Sequence, residues 1–199
     1  MIALFLSTNQ GNVMKKTILV AILGAMASAT TFAGSTVTDL SNPKPYIGLD
    51  YTYLSDVQGA LKSTYDSQVV EALVDNYTNQ VSLVAGVQLN DYIGLETTLG
   101  KNIKDISKID GIKLSLQTAT LAVTGQYPMY DRFYAKGAVG QAWNRFEVKV
   151  DGEKDHDSID KFFAKAGVGY QWTANSVTEG TYVYNGGMDG FSLQYKYVF

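Results

Sequence analysis

Phe191-Ser192-Leu193-Gln194-Tyr195-Lys196-Tyr197-Val198-Phe199 closes the chain. Its odd positions are all large and apolar or aromatic, and its even positions, Val198 apart, are small or polar. Successive side chains of a β-strand point to opposite faces, so this alternation reads as a strand with one face in an apolar medium. Taken alone it also fits an ordinary C-terminal sheet strand. The pattern upstream decides between the two.

The alternation recurs from Tyr46 onward. A first strand, Tyr46 to Leu54, sets Ile47, Leu49, Tyr51 and Tyr53 against Gly48, Asp50 and Thr52. A second, about Asn79 to Leu89, sets Val81, Leu83, Ala85, Val87 and Leu89 against Gln80, Ser82, Gly86 and Gln88. The third spans Tyr92 to Gly100. The fourth, about Ile112 to Tyr127, changes parity midway: Leu114 and Leu116 are even, Leu121 and Val123 odd. That change predicts a β-bulge near Thr118 to Thr120. Strands five to seven are expected at Phe133 to Phe146, Lys161 to Trp172 and Val177 to Tyr184. With the closing stretch, eight strands result.

Short turns alternate with long connections. Asn90-Asp91, Pro128–Arg132 and Thr173–Ser176 are short; Asp56–Thr78, Lys101–Gly111 and Glu147–Asp160 are long. Tight turns at one end and long loops at the other belong to membrane barrels. The strands approach the ~9–11 residues needed to cross a bilayer at a tilt. Face composition separates this from a soluble ligand-binding barrel, whose apolar face points inward. One face here is almost wholly aliphatic or aromatic. The other holds small and polar residues with Asp50, Glu96, Lys136, Lys165, Glu179 and Lys196. An apolar cavity cannot solvate six ionisable groups, whereas the core of a narrow membrane barrel can pair three acids with three bases. The expected fold is all-β: an eight-stranded antiparallel up-and-down transmembrane β-barrel after a cleaved signal peptide. The 14 Tyr, 8 Phe and 2 Trp suit aromatic girdles around it.

The front end reads as a signal peptide over residues 1–33. Met14-Lys15-Lys16 is its charged start, Ile18 to Ala27 its apolar run, and Thr31-Phe32-Ala33 its cleavage site before Gly34. Met14 is the expected true start, and cleavage after Ala29 is the alternative site. A short segment, 34–44, then leads into the barrel at 45–199. Removing the signal leaves 14 basic and 19 acidic residues, a net charge of −5, which excludes a generic nucleic-acid binder. With no cysteine there is neither a disulfide framework nor a thiolate metal site.

These residues resemble a known family. Closing strands that end in Phe199, with aromatics at Tyr197 and Tyr195, are similar to those of bacterial outer-membrane proteins. The resemblance implies that Phe191, Leu193, Tyr195, Tyr197 and Phe199 form the signal read by the barrel-assembly machinery. Asn90-Asp91-Tyr92-Ile93-Gly94-Leu95-Glu96, the stretch Gly125 to Lys136 with Tyr127-Pro128, and Phe163 to Tyr170 resemble the OmpA-type (OmpA/OmpX-like) transmembrane domain. The likeness covers about 45–199, and no peptidoglycan-binding domain is expected after Phe199. It implies a lumenal ion-pair cluster in which Glu96 and Lys136 hold two positions. Thr124, Gly169 and Glu179 depart from that family's pattern, which implies a rewired cluster pairing Lys165 with Glu179.

Few features promise chemistry. The one histidine, in Asp155-His156-Asp157-Ser158, reproduces the His-x-Ser spacing of PagL-type lipid A deacylases, but it falls in an expected hydrophilic loop with no matching carboxylate on the next strand. No catalytic residue, cofactor or metal site is expected; one histidine gives no metal cluster, and the acidic spacing is not that of an EF-hand. Val69, Val70, Leu73 and Val74 predict a short amphipathic helix in the first long loop, packing on the loop itself or on the barrel rim, with an adhesive contact as the alternative. Lys101, Lys104, Lys108 and Lys113 are candidates for lipopolysaccharide phosphates. The expected protein is a monomeric, porin-like but closed barrel of the bacterial outer membrane. It is not an enzyme, and its role is structural or surface-interactive, through lipid, lipopolysaccharide or a surface ligand on its loops. The alternatives are a narrow ion channel and, third, a lipid A-modifying enzyme.

Overall fold

The computed structural model describes residues 43–62, 67–107, 112–150 and 153–199. The expected signal segment, its start at Met14 and cleavage before Gly34 lie outside these residues, as do nearly all of 34–44, Lys108, Asp110 and Asp151, and the side chains of Val69 and Leu73. Eight strands form: β1 (Lys44–Ser55), β2 (Tyr77–Gln88), β3 (Ile93–Asn102), β4 (Ile112–Tyr130), β5 (Phe133–Val150), β6 (Glu153–Gln171), β7 (Ser176–Asn185) and β8 (Met188–Val198). Two short helices, α1 (Val57–Lys62) and α2 (Ser67–Leu73), lie between β1 and β2. Each strand pairs antiparallel with its sequence neighbour, and β8 returns to β1 with Tyr195 opposite Leu49 and Tyr197 opposite Ile47. The barrel is closed, so its wall has no free strand edge.

Parity divides each strand between two environments. Leu49, Leu83, Val123, Val139, Val168 and Leu193 stand exposed on the outside, while Asp50, Glu96 and Glu179 are buried inside. That inverts a water-soluble protein and matches a wall solvated by lipid. Rings gather at both ends of the apolar band. Phe133–Tyr170, Tyr170–Trp172 and Tyr197–Phe199 meet near the short turns, and Tyr53–Tyr77, Phe162–Tyr184 and Tyr182–Phe191 near the long connections. No described helix is long and apolar enough to cross a membrane, so crossing falls to the strands.

Local chemistry fixes the turns. Asn90 Oδ1 accepts the amides of Tyr92 and Ile93, both at 2.8 Å, closing the Asn90-Asp91 turn. Between β7 and β8, Gly186 and Gly187 have φ of 61° and 104°, the left-handed pair that a two-residue hairpin requires.

Two expectations are corrected. The register of β4 on β5 is continuous from Ile112 opposite Val150 to Pro128 opposite Tyr134, so no bulge lies at Thr118–Thr120. The shift comes between Pro128 and Tyr130, where proline supplies no amide to the ladder. Parity never changes: Leu114 and Leu116 point inward, because the interior is apolar at that height. Likewise Glu147–Asp160 is not a loop. β5 and β6 pair out to Val150 opposite Glu153. Its alternation was hidden by its charge: Phe146 and Ile159 face inward onto an apolar cluster, while Arg145, Glu147 and Lys149 face outward.

That cluster caps the long-loop end. Leu54, Val57, Leu61, Val70, Val74, Ile106, Leu114, Leu116, Phe146 and Met188 are buried together. α1 and α2 therefore pack as a lid on the rim, tied by Gln58 Nε2 donating to the Val74 carbonyl (2.6 Å) and Asp75 N to the Ile106 carbonyl (2.8 Å).

Candidate functional site

Below the cap, the lumen is filled in two polar levels. The upper is neutral. Gln80 Nε2 donates to Thr118 Oγ1 (3.1 Å), and Thr118 Oγ1 donates to Asn144 Oδ1 (2.9 Å). The amides of Asn144 and Asn185 exchange bonds of 2.8 and 3.0 Å. The lower level is ionic. Lys165 Nζ lies 3.0 Å from Asp50 Oδ2 and 3.7 Å from Glu96 Oε1. Lys136 Nζ bridges Glu96 Oε2 at 2.7 Å and Glu179 Oε2 at 2.6 Å. Lys196 Nζ contacts Glu179 Oε1. The six charges run Asp50, Lys165, Glu96, Lys136, Glu179, Lys196, alternating in sign at every step. All six are buried, and their formal sum is zero.

Neutral donors complete the carboxylates. Ser192 Oγ donates to Asp50 Oδ2 (2.7 Å) and Gln194 Nε2 to Glu96 Oε2 (3.2 Å). Tyr46 and Tyr134 donate their hydroxyls to Glu96 (3.1 Å) and Glu179 (2.5 Å), and Lys196 Nζ sits 4.6 Å from the Tyr46 ring centre. Each tyrosine lies over a glycine of the next strand, Gly86 and Gly169 respectively. A Cβ on Gly86 would come within 2.4 Å of the Tyr46 ring, and one on Gly169 within 2.1 Å of the Tyr134 ring. So Gly169 leaves room for a ring whose hydroxyl reaches Glu179. Sequence reading assigned the aromatics to girdles and missed both tyrosines; their parity with Asp50 and Lys136 was the available signal.

The Lys165–Glu179 pairing is corrected. Across β6 and β7, Glu179 faces Gly169 and Lys165 faces Val183. Four residues, about 13 Å along a strand, separate those levels. Lys165 turns to Asp50 and Glu96 instead. At the junction of the two polar levels a cavity of about 20 Å³ is lined by Asp50, Ser82, Thr98, Thr118 and Lys165 among others. It has room for about one water. Thr98 Oγ1, buried there, has no hydrogen-bond partner in the protein.

Elsewhere, Phe191, Leu193, Tyr195 and Tyr197 all project outward from β8, and Phe199 follows, its amide bonded to the Pro45 carbonyl at 2.9 Å. His156 and Ser158 lie on the outer face of β6 rather than in a loop, with Glu147 opposite His156 and Arg145 opposite Ser158. No group of three or more potential metal ligands occurs among the described residues.

A closed antiparallel barrel with lipid-compatible residues outside and paired charges inside is a transmembrane barrel of the outer-membrane class. The model of the outer membrane protein beta-barrel domain matches residues 17–195, and the chain belongs to that family. It is a protein of the bacterial outer membrane. Among solved structures it is similar to Neisserial surface protein A, NspA (11% identity, TM-score 0.57, covering 79% of this chain and 97% of that one). It is also similar to the N-terminal barrel domain of Pseudomonas aeruginosa OprF (12%, 0.55, 79% and 98%) and to Yersinia pestis Ail (12%, 0.51, 79% and 97%). At these identities the likeness is one of fold. No curated protein matches the sequence.

Proposed function

We propose that this is a non-conducting, non-enzymatic outer-membrane barrel whose work is structural and surface-interactive. The observation that carries the reading is the filled lumen. Ionic chain, amide level and apolar cap lie in series, and the cavity between the two polar levels holds about one water. A hydrated ion crossing it would have to part paired charges and then enter an apolar cluster. By the asymmetry of such barrels, the short turns face the periplasm and the capped end the exterior. Nothing in the closed wall calls for a second subunit, which favours a monomer, and the β8 aromatics serve recognition by the assembly machinery. The enzyme alternative is disfavoured because Ser158 shares its row with Arg145 and Gln117, a charged and polar setting with no apolar track for an acyl chain.

Planar-bilayer recording tests this. The purified barrel is expected to give no discrete conductance steps. Reproducible unitary steps from the folded protein, lost on heat denaturation, would establish the narrow channel instead.

A further inference from the structure

One step of the ionic chain is not closed by protein atoms. Lys136 Nζ donates to two carboxylates, at 2.7 and 2.6 Å. Lys165 Nζ donates to one, Asp50 Oδ2 at 3.0 Å, and stands 3.7 Å from Glu96 Oε1, beyond hydrogen-bond reach. An ammonium carries three N–H donors, and leaving them unmet in a buried site is costly. The Phe163 ring, its centre 5.6 Å away, offers a weak electrostatic contact and no acceptor atom. The cavity of about 20 Å³ lies against this step, with Lys165 in its lining. β3 brings Thr98 to the same lining. Thr98 is 7% exposed, and among the described residues its hydroxyl is the one lining atom buried without a protein partner. Thr120, directly across from Thr98 on β4, and Ser82 on β2 add two more hydroxyls. Ser82 has room there because Gly100 stands opposite it; a Cβ on Gly100 would collide with Ser82 Oγ. Leu54, Phe163 and Val183 supply the apolar part of the wall.

An occupant of this cavity must accept a hydrogen bond from an ammonium, bond to hydroxyls, fit the space of about one solvent molecule and carry no charge. The six ionic groups already sum to zero, so a metal cation would add a surplus beside the Lys165 ammonium. An anion would meet the Asp50 carboxylate, whose oxygens already accept from Lys165, Ser192 and Thr52. Water meets all four conditions. We propose that the cavity is a specific binding site for one ordered water, which accepts from Lys165 Nζ and bonds the Thr98 hydroxyl. It joins the ionic level to the hydroxyls of β2, β3 and β4. The inference rests on the closed lumen proposed above. With paired charges on one side and the amide level and apolar cap on the other, this water reaches bulk solvent only when the lumen opens. It is both a cross-brace of the plug and a reporter of its opening.

The test compares the full chain with Thr98→Val, which keeps the shape and removes the hydroxyl, and with Thr98→Ser, which keeps the hydroxyl. Deuterium relaxation dispersion of solvent water, on the folded barrel in nanodiscs, counts long-lived waters. The wild type and Thr98→Ser should each show one more than Thr98→Val. In urea unfolding, Thr98→Val should lower the folding equilibrium constant roughly 2- to 10-fold, the usual net effect of one lost hydrogen bond. A hydroxyl that is merely orphaned gives the opposite sign, because valine then removes an unsatisfied polar group. An unchanged or raised equilibrium constant would therefore overturn the proposal, as would equal water counts in the wild type and Thr98→Val. Cross-relaxation between water and the Thr98 methyl group of the wild type needs no variant, and its absence from a non-conducting barrel would also overturn it. Failure of the closed-lumen reading shows separately, as unitary conductance steps from the wild type.

Discussion

Lys136→Met is expected to destabilise the folded barrel by ~3–5 kcal/mol, the usual cost of removing one partner from a buried ion pair. Lys136 holds the centre of the chain, bridging Glu96 and Glu179. Without it, three carboxylates face two ammonium groups, and the surplus charge has no water to reach. Adding Glu96→Gln restores neutrality. Glutamine keeps an acceptor for the Tyr46 hydroxyl, and Glu179 keeps Lys196. The double variant should therefore recover much of the loss, as coupled neighbours do in a mutant cycle. Urea unfolding in lipid vesicles, followed by heat-modifiable migration, reads both effects. Additive losses would mean that the two residues do not act as a pair.

Replacing Tyr197 and Phe199 with serine should cut the amount of assembled barrel in the outer membrane several-fold. Each ring contributes ~1.5–3 kcal/mol of apolar burial at the membrane boundary. The two rings also touch, with centres 5.3 Å apart and planes at 78°. Ser192→Ala with Gln194→Ala removes two hydrogen bonds to buried carboxylates on the same strand but leaves its lipid face intact. That variant should unfold more readily in vitro yet assemble nearly as well in cells. Equal yields of heat-modifiable barrel from the two double variants would remove any special role for the terminal aromatics in assembly.

The strands were legible because a wall one residue thick, with lipid on one side and a polar core on the other, imposes period two on the sequence. Asp50, Glu96, Lys136, Lys165, Glu179 and Lys196 could be placed inside for the same reason. Their partners could not. Pairing depends on shear around the barrel, which no single strand's pattern contains, and so Lys165 was matched to Glu179 rather than to Asp50. The parity of β4 was misjudged on a different ground. Apolar residues lower on the wall face lipid, and the same rule assigns Leu114 and Leu116 outward; at their height the polarity inverts, with an apolar interior and Lys113, Ser115 and Gln117 on the outer face. In the β5–β6 hairpin, charge on the outer face concealed the inward alternation of Phe146 and Ile159.

The central claim is that the lumen is closed to solvent and solute, and the absence of native cysteine allows it to be probed one residue at a time. Thr98 is the position of choice. It lines the lumenal cavity, and its hydroxyl has no protein partner to lose. Thr98→Cys on intact cells should resist a membrane-impermeant maleimide and react fully after denaturation, while Lys104→Cys on the external loop reacts at once. Labelling of folded Thr98→Cys at a rate near that of Lys104→Cys would show an open lumen and contradict the account.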